Sequence, residues 1–184
     1  MYYPMTIAGL ERKLPICRVN DSLSIGAFVI LGDAALTVAC AAELLAKAPA
    51  YDYIITAEAK GIPLAHEMAR QAGDETYFIA RKHPKLYMQE VFSVSVRSIT
   101  TDAEQTLYLD RGDADKMRGK RILLIDDVIS TGESIRALAE LVRRAGGNIV
   151  GTMAILAEGD AQARTDIISL APLPVFNSDG TPKA

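Results

Sequence analysis

Hydrophobic positions are densest at Ile122-Leu123-Leu124-Ile125, where four aliphatic residues stand in a row with no alternation. Such a run predicts a strand buried on both faces, central in a parallel sheet. Asp126 and Asp127 follow, then Val128 and Ile129, then the hydroxyl-rich turn Ser130-Thr131-Gly132-Glu133-Ser134. From Ile135 to Arg144 the apolar positions Ile135, Leu138, Leu141 and Val142 recur at helical spacing, and Gly146-Gly147 closes the helix. The order is strand, acidic pair, loop, helix.

The flanking pattern predicts a sheet around this strand. Asp33 is a plausible cap for a helix over Ala34 to Ala48 that stops at Pro49. Tyr53 to Ala57 reads as a first core strand, Leu64 to Gln71 as a helix ending near Gly73, and Thr76 to Ala80 as a second strand. A strand-helix-strand unit implies parallel strands with right-handed crossovers. Val94 and Val96 alternate with Ser93 and Ser95 within Val91 to Ile99, and Thr106 to Leu109 can pair antiparallel with them. Ile149 to Leu156 reads as the next buried strand. Residues 1 to about 32 are expected to be irregular, with Pro4 and Pro15 breaking any helix and Gly26 and Gly32 marking turns. Ala161 to Leu170 is expected to form a last short helix, and Pro172 to Ala184 a loose tail.

Composition narrows the class. With 184 residues and 49% hydrophobic content, the chain suits one α/β domain with a sizeable core. Net charge is -3 and pI about 5.4, with no basic run, so broad nucleic-acid binding is not expected. Cys17 and Cys40 are too few for a disulfide framework and lie in no metal-ligand spacing. No leader-like segment or membrane-length apolar run stands out, and the expectation is a cytoplasmic protein.

The loop after the acidic pair carries the chemistry. Loop amides and a helix N-terminus direct unpaired N–H groups at one spot that suits an anion, and Ser130, Thr131 and Ser134 add hydroxyl donors. Gly132 allows close backbone approach. Asp126 and Asp127 would repel a phosphate at contact distance, so they suit a neighbouring part of the ligand that bears hydroxyls or a metal. A phosphorylated sugar fits both ends. Read as an ordinary structure, the same stretch is a buried strand whose carboxylates cap the next helix.

This stretch resembles the phosphoribosyl-pyrophosphate (PRPP) motif of type I phosphoribosyltransferases. That motif has four hydrophobic residues, two acidic, two hydrophobic, a small or hydroxyl pair, glycine, any residue, then a small or hydroxyl residue. Every position from Ile122 to Ser134 matches it. Glu58-Ala59-Lys60-Gly61 stands at a strand's carboxyl end and resembles the family's pyrophosphate loop, with Ala59, Lys60 and Gly61 in the binding positions; a plain turn with a solvated lysine is the bland alternative. Arg81-Lys82-His83-Pro84-Lys85, followed by a strand pair, resembles the mobile catalytic loop of the purine enzymes, although charge clusters are more often solvated faces. His66 is read as structural, and Lys82, Lys85 or both as partners of pyrophosphate.

The resemblance implies a central, mainly parallel sheet flanked by helices, with a small N-terminal hood and a mobile β-hairpin. Residues 1–50 would form the hood and first helix, 51–171 the core and 172–184 the tail. It further implies transfer of the 5-phosphoribosyl group from PRPP to a purine base, releasing pyrophosphate, with Mg²⁺ held mainly by PRPP rather than by the protein, and a homodimer. Asp126, Asp127 and Lys85 would be catalytic. Val128, Ile129, Ser130, Thr131, Gly132, Glu133 and Ser134 would hold PRPP with Ala59, Lys60, Gly61, Arg81 and Lys82. Ser24, Ile25 and Phe28 would line the base, Phe28 either stacking on a purine or sitting in the core.

Adenine enzymes of the family carry a glutamate where Thr100 stands here, and xanthine enzymes a lysine near Glu158-Gly159; this chain has neither. An acid in place of the lysine disfavours an anionic oxopurine, which leaves the base open and adenine favoured. The competing class is a PRPP-sensing regulator without turnover, and residues 1–50 are too short and apolar for the DNA-binding domain such regulators add. A third class, an RNA-binding regulator of this fold, would need a basic face.

Overall fold

The computed structural model describes residues 1–97 and 104–183. In chain order its elements are β1 (Tyr2–Ile7), β2 (Leu10–Arg18), β3 (Ser24–Gly26), α1 (Ala34–Lys47), β4 (Tyr53–Ala57), α2 (Ile62–Ala72), β5 (Phe78–Ala80), β6 (Val91–Arg97), β7 (Glu104–Asp110), α3 (Arg111–Lys116), β8 (Arg121–Ile129), α4 (Glu133–Arg144), β9 (Asn148–Glu158), β10 (Ile168–Leu173) and β11 (Val175–Phe176). A 3₁₀ turn, Gly159–Ala163, joins β9 to β10.

Five strands in the order β10-β9-β8-β4-β5, all parallel, form the central sheet. The run of four aliphatic residues lies at its middle. Ile122 and Leu124 enter the core on one face, Leu123 and Ile125 the core on the other, and all four are fully buried. Covering both faces of a parallel sheet explains why this strand shows no alternation. On one face α4 packs with the β6–β7 hairpin, through Ile135, Leu138, Val94 and Leu107. On the other lie α1, α2 and the N-terminal strands, through Leu36, Leu44, Leu64, Ile7 and Leu14.

The helices begin and end where local chemistry dictates. Asp33 accepts a hydrogen bond from the Leu36 N–H at 3.1 Å and caps α1, which stops before Pro49. Pro63 sits in the first turn of α2, and Gly73, at φ 78°, ends it. The predicted hairpin is present, with Val94 opposite Leu107. Arg81 and Tyr108 exchange two backbone hydrogen bonds of 2.8 Å, tying the end of β5 to β7.

Three expectations are corrected. Residues 1–32 are not irregular: β1, β2 and β3, with β11, make a four-stranded antiparallel sheet, and Pro4 is tolerated because β1 is its edge. Ala161 to Leu170 is not a helix. After the 3₁₀ turn, Ile168 and Ser169 pair with Met153 and Ala154 as the edge strand β10, a conformation that suits the β-branched pair Ile167-Ile168. Nor is the C-terminal segment loose, since Phe176 is fully buried, pairs with Ser24 and packs edge-on against Tyr3 at 5.1 Å. β8 carries the acidic pair, as expected of the motif strand, and runs on to Ile129 beside β9.

Candidate active site

In open parallel sheets ligands gather at the carboxyl ends of the strands. Here four strands contribute there: β8 with Asp126 and Asp127, β4 with the turn from Glu58 to Gly61, β5 with Arg81, and β9 with Glu158. The sheet therefore brings together groups up to a hundred positions apart in sequence.

Between Ile129 and α4 the chain turns through Ser130 and Thr131, both exposed, to Gly132, whose φ of 78° suits glycine. Gly132, at the start of α4, has no side chain to cap the first turn, and the Thr131 hydroxyl accepts the Glu133 N–H only at 3.5 Å, so the first-turn N–H groups face the loop. A small cavity of about 140 Å³ opens here, lined by Asp126 and residues 128–135. The predicted PRPP residues Val128 to Ser134 are all in that lining, a geometry suited to an anion, whereas Ala59, Lys60, Gly61, Arg81 and Lys82 are not.

Asp127 is 3% exposed, and its Oδ2 lies 3.0 Å from the Lys60 ammonium. That contact is an ion pair rather than a well-directed hydrogen bond, so the buried oxygen retains lone pairs for another partner. Asp126 accepts the Asp127 N–H at 2.9 Å. Burial pushes the Asp126 carboxyl up, to about 7, with the adjacent Asp127 charge adding to the effect. Two carboxylates side by side thus share one cation.

Lys60 comes from the turn after β4, which is pressed against the sheet. A Cβ at Gly61 would stand 2.2 Å from Thr56 Oγ1 and 3.4 Å from Asp126 Oδ1. The glycine therefore serves close packing against Thr56 and the acidic pair. Sequence reasoning placed Gly61 beside the ligand and missed the buried Thr56 behind it.

Glu58 was also missed as a site residue, and it organises the cationic cluster. Its Oε1 lies 3.1 Å from Arg81 Nη1 and 3.4 Å from Lys85 Nζ, while its Oε2 accepts the Lys82 N–H at 3.1 Å. Burial raises the Glu58 carboxyl, but the Lys82 N–H and the Lys85 and Arg81 charges outweigh it and hold it below the ordinary range. Arg81 and Lys85 are thus folded onto an acid. The Lys82 ammonium has no ion-pair partner among the described residues.

Glu158, 8% exposed, ends β9. Burial raises its carboxyl, partly offset by a hydrogen bond from Ser130 and by the Lys60 charge. Sequence reasoning noted Glu158 for the lysine it replaces, not as a neighbour of Ser130. Its place at the end of the strand following the motif was the available signal.

The three positions assigned to the base differ. Ser24 is 2% and Phe28 5% exposed, and Phe28 packs in the core with the N-terminal strands and α1, so its ring has no free stacking face. Ile25 on β3 is half-buried. His66 sits on α2 with its ring 5.8 Å from that of Tyr77, a packing contact, and His83 is exposed. Thr100 lies outside the described residues. Among the described residues no cluster of three or more carboxylate, imidazole or thiol groups is gathered for a metal, and no helix is long and apolar enough to cross a membrane.

Comparison with known proteins agrees with this geometry. Over residues 33–171 the chain matches the family described as phosphoribosyl transferase domain. It is 31% identical over 118 residues to the hypoxanthine/guanine phosphoribosyltransferase of Methanococcus voltae, covering 64% of this chain and 59% of that protein. It is 30% identical over 122 residues to the orotate phosphoribosyltransferase of Caldanaerobacter subterraneus subsp. tengcongensis, covering 65% and 53%. The chain thus spans a little over half the length of these relatives. Among solved structures it is similar to the adenine phosphoribosyltransferase of Thermoanaerobacter pseudethanolicus, with a TM-score of 0.63, 27% identity, and 78% and 84% of the two chains covered. The Giardia lamblia adenine enzyme, at 18% identity and a TM-score of 0.62 over 94% and 93% of the chains, shares the fold. The match to the family over most of the chain, together with the strand-end acidic pair and the loop that follows it, shows that this protein belongs to the phosphoribosyltransferase family.

Proposed function

We propose that this protein transfers the 5-phosphoribosyl group of PRPP to a ring nitrogen of a purine base, with adenine the favoured acceptor. The observation that carries the proposal is the meeting of three parts at one sheet edge. These are the buried Asp127, the Lys60 ammonium 3.0 Å from it, and the loop cavity beneath α4.

In this reading the 5′-phosphate sits in the cavity, on the amides and hydroxyls of the loop from Val128 through Ser134. The ribose hydroxyls donate to Asp126 and Asp127, whose negative charge balances the positive charge that develops at the anomeric carbon. As the bond from the base nitrogen to that carbon forms, the bond to pyrophosphate breaks, the electron pair leaves with the pyrophosphate, and the proton that the ring nitrogen carried is taken up by a pyrophosphate oxygen. Lys60 and the amides of Ala59 and Gly61 face the leaving group. Lys82, with no ion-pair partner among the described residues, is the cation best placed to join them, and Arg81 and Lys85 would have to loosen from Glu58 to contribute. The hairpin would close over the site and exclude water. Mg²⁺, held mainly by PRPP, would supply charge stabilisation for the leaving pyrophosphate, and the adjacent carboxylates Asp126 and Asp127 are the residues here that would suit it.

Base choice rests on Glu158. A buried carboxyl beside Ser130 presents no cation to an anionic oxopurine, which supports adenine over xanthine. The curated relatives include enzymes named for hypoxanthine and guanine, so those bases are the second reading. Ile25 marks the side on which the N-terminal sheet would roof the base. The chain acts as one domain in this reading, as a cytoplasmic homodimer.

The test is pyrophosphate release from PRPP and Mg²⁺ with adenine, hypoxanthine, guanine and xanthine supplied separately. Adenine should give the highest kcat/KM. Turnover only with hypoxanthine or guanine would move the assignment to the second reading, and PRPP binding without turnover on any base would replace the enzyme with a sensor.

A further inference from the structure

The phosphate loop has two sides. Thr131, Gly132, Glu133 and Ile135 line the 140 Å³ cavity described above, and the same four residues also line a larger cavity of about 380 Å³ outside it. The loop is a partition between the two. The outer cavity falls in the size range of small-molecule sites, and its composition is amphiphilic. Ala139 and Ile149 provide apolar surface; Arg143 from the last turn of α4 and Arg164 from beyond the 3₁₀ turn provide cations; Thr152 adds a hydroxyl.

Charge favours an anion there. Arg136, Arg143 and Arg164 line the cavity against the carboxylates of Glu133 and Asp166, a local excess of positive charge in a chain of net charge -3. Arg143 is exposed and has no ion-pair partner among the described residues. Arg164 spends Nε and Nη2 on Asp166, at 2.9 and 2.6 Å, which fixes the guanidinium plane. Its Nη1 is thereby held against the loop backbone, where a Cβ on Gly132 would stand 2.5 Å from it. A group that binds Arg164 from the outer side therefore acts directly on the turn that shapes the inner one.

We propose that the outer cavity is a second ligand site, distinct from the PRPP site, for a nucleotide. Its phosphates are held by Arg143 and Arg164, its ring lies on Ala139 and Ile149, and occupancy is coupled to the phosphate loop through the Arg164–Gly132 contact. The proposal goes beyond the transferase reading, because it concerns binding on the other side of the loop.

Calorimetry with ADP as the probe tests it, on the whole chain with the inner cavity filled by saturating ribose 5-phosphate, and with inorganic phosphate as a second titrant. One ADP should bind per chain under these conditions, more tightly than inorganic phosphate. Arg143→Ala, on an exposed position remote from the acidic pair, should weaken ADP at least about tenfold while leaving ribose 5-phosphate binding and the melting temperature unchanged, since charge-assisted contacts to phosphate are the strong ones. The affinities of ADP and ribose 5-phosphate should depend on each other reciprocally, and Arg164→Ala should remove that dependence. Simple competition between ADP and ribose 5-phosphate, no ADP binding, or wild-type ADP affinity in Arg143→Ala would overturn the site. Mutual indifference of the two ligands would overturn the coupling. Failure of ribose 5-phosphate to bind would count against the PRPP reading alone, because the Arg143→Ala comparison stands without it.

Discussion

Gly61→Ala is a small change with a large expected effect. The added Cβ would sit 2.2 Å from Thr56 Oγ1, roughly 1 Å inside ordinary contact, and Thr56 is fully buried with no solvent to turn into. The turn must lift away from β4 by about the missing distance. Such overpacking costs about 1–3 kcal/mol of stability. The turn carries Lys60, so the ammonium moves relative to Asp127, and a displacement near 1 Å at a catalytic site lowers kcat/KM by about a hundredfold. Pyrophosphate release from PRPP reads the second effect, and urea unfolding the first. Thr56→Ala removes the offending hydroxyl, so the double variant should recover most of both losses. Wild-type kcat/KM and stability in Gly61→Ala, or a double variant no better than the single one, would refute the reasoning.

Two further outcomes follow from burial. The Asp126 carboxyl has a folded pKa of about 7, above its ordinary 3.8, so between those values the folded state binds more protons than the unfolded one, and this contribution to stability falls as pH rises. Asp126→Asn, whose Oδ1 still accepts the Asp127 N–H, should therefore gain on wild type between pH 5 and pH 7.5 in paired urea titrations; a difference independent of pH would show that burial does not push the Asp126 carboxyl up. Phe176→Ala empties a fully buried position between β3 and Tyr3 and should cost about 3–5 kcal/mol in the same assay, whereas a loose C-terminal segment would lose almost nothing.

What the sequence disclosed and what it hid follow from the range of the interactions. The motif strand and α4 were legible because their signals are local: a run of aliphatics without alternation, then helical spacing. The N-terminal sheet was not. Its hairpin turns on Ala8 and Gly9, at φ 46° and 74°, a two-residue turn in which only the glycine is conspicuous, and the prolines on either side read as breakers. β10 and β11 draw their stability from partners that lie far away in sequence, Met153 and Ser24, and no local pattern announces them. The site divides the same way. The acidic pair, the phosphate loop and Lys60 were visible as motifs, whereas Thr56, the gathering of Arg81 and Lys85 onto Glu58, and the approach of Glu158 to Ser130 arise only when separate strands end at one edge.

The central claim is that the strand-end carboxylate pair acts on PRPP chemistry, and Asp127→Asn tests it most directly. Lys60 is half exposed and can turn to water, so loss of the ion pair should change stability little. Steady-state pyrophosphate release from PRPP and Mg²⁺ with adenine, measured beside the melting temperature, should then show kcat reduced at least about a hundredfold in a protein that melts close to wild type. Wild-type turnover in Asp127→Asn would contradict the account.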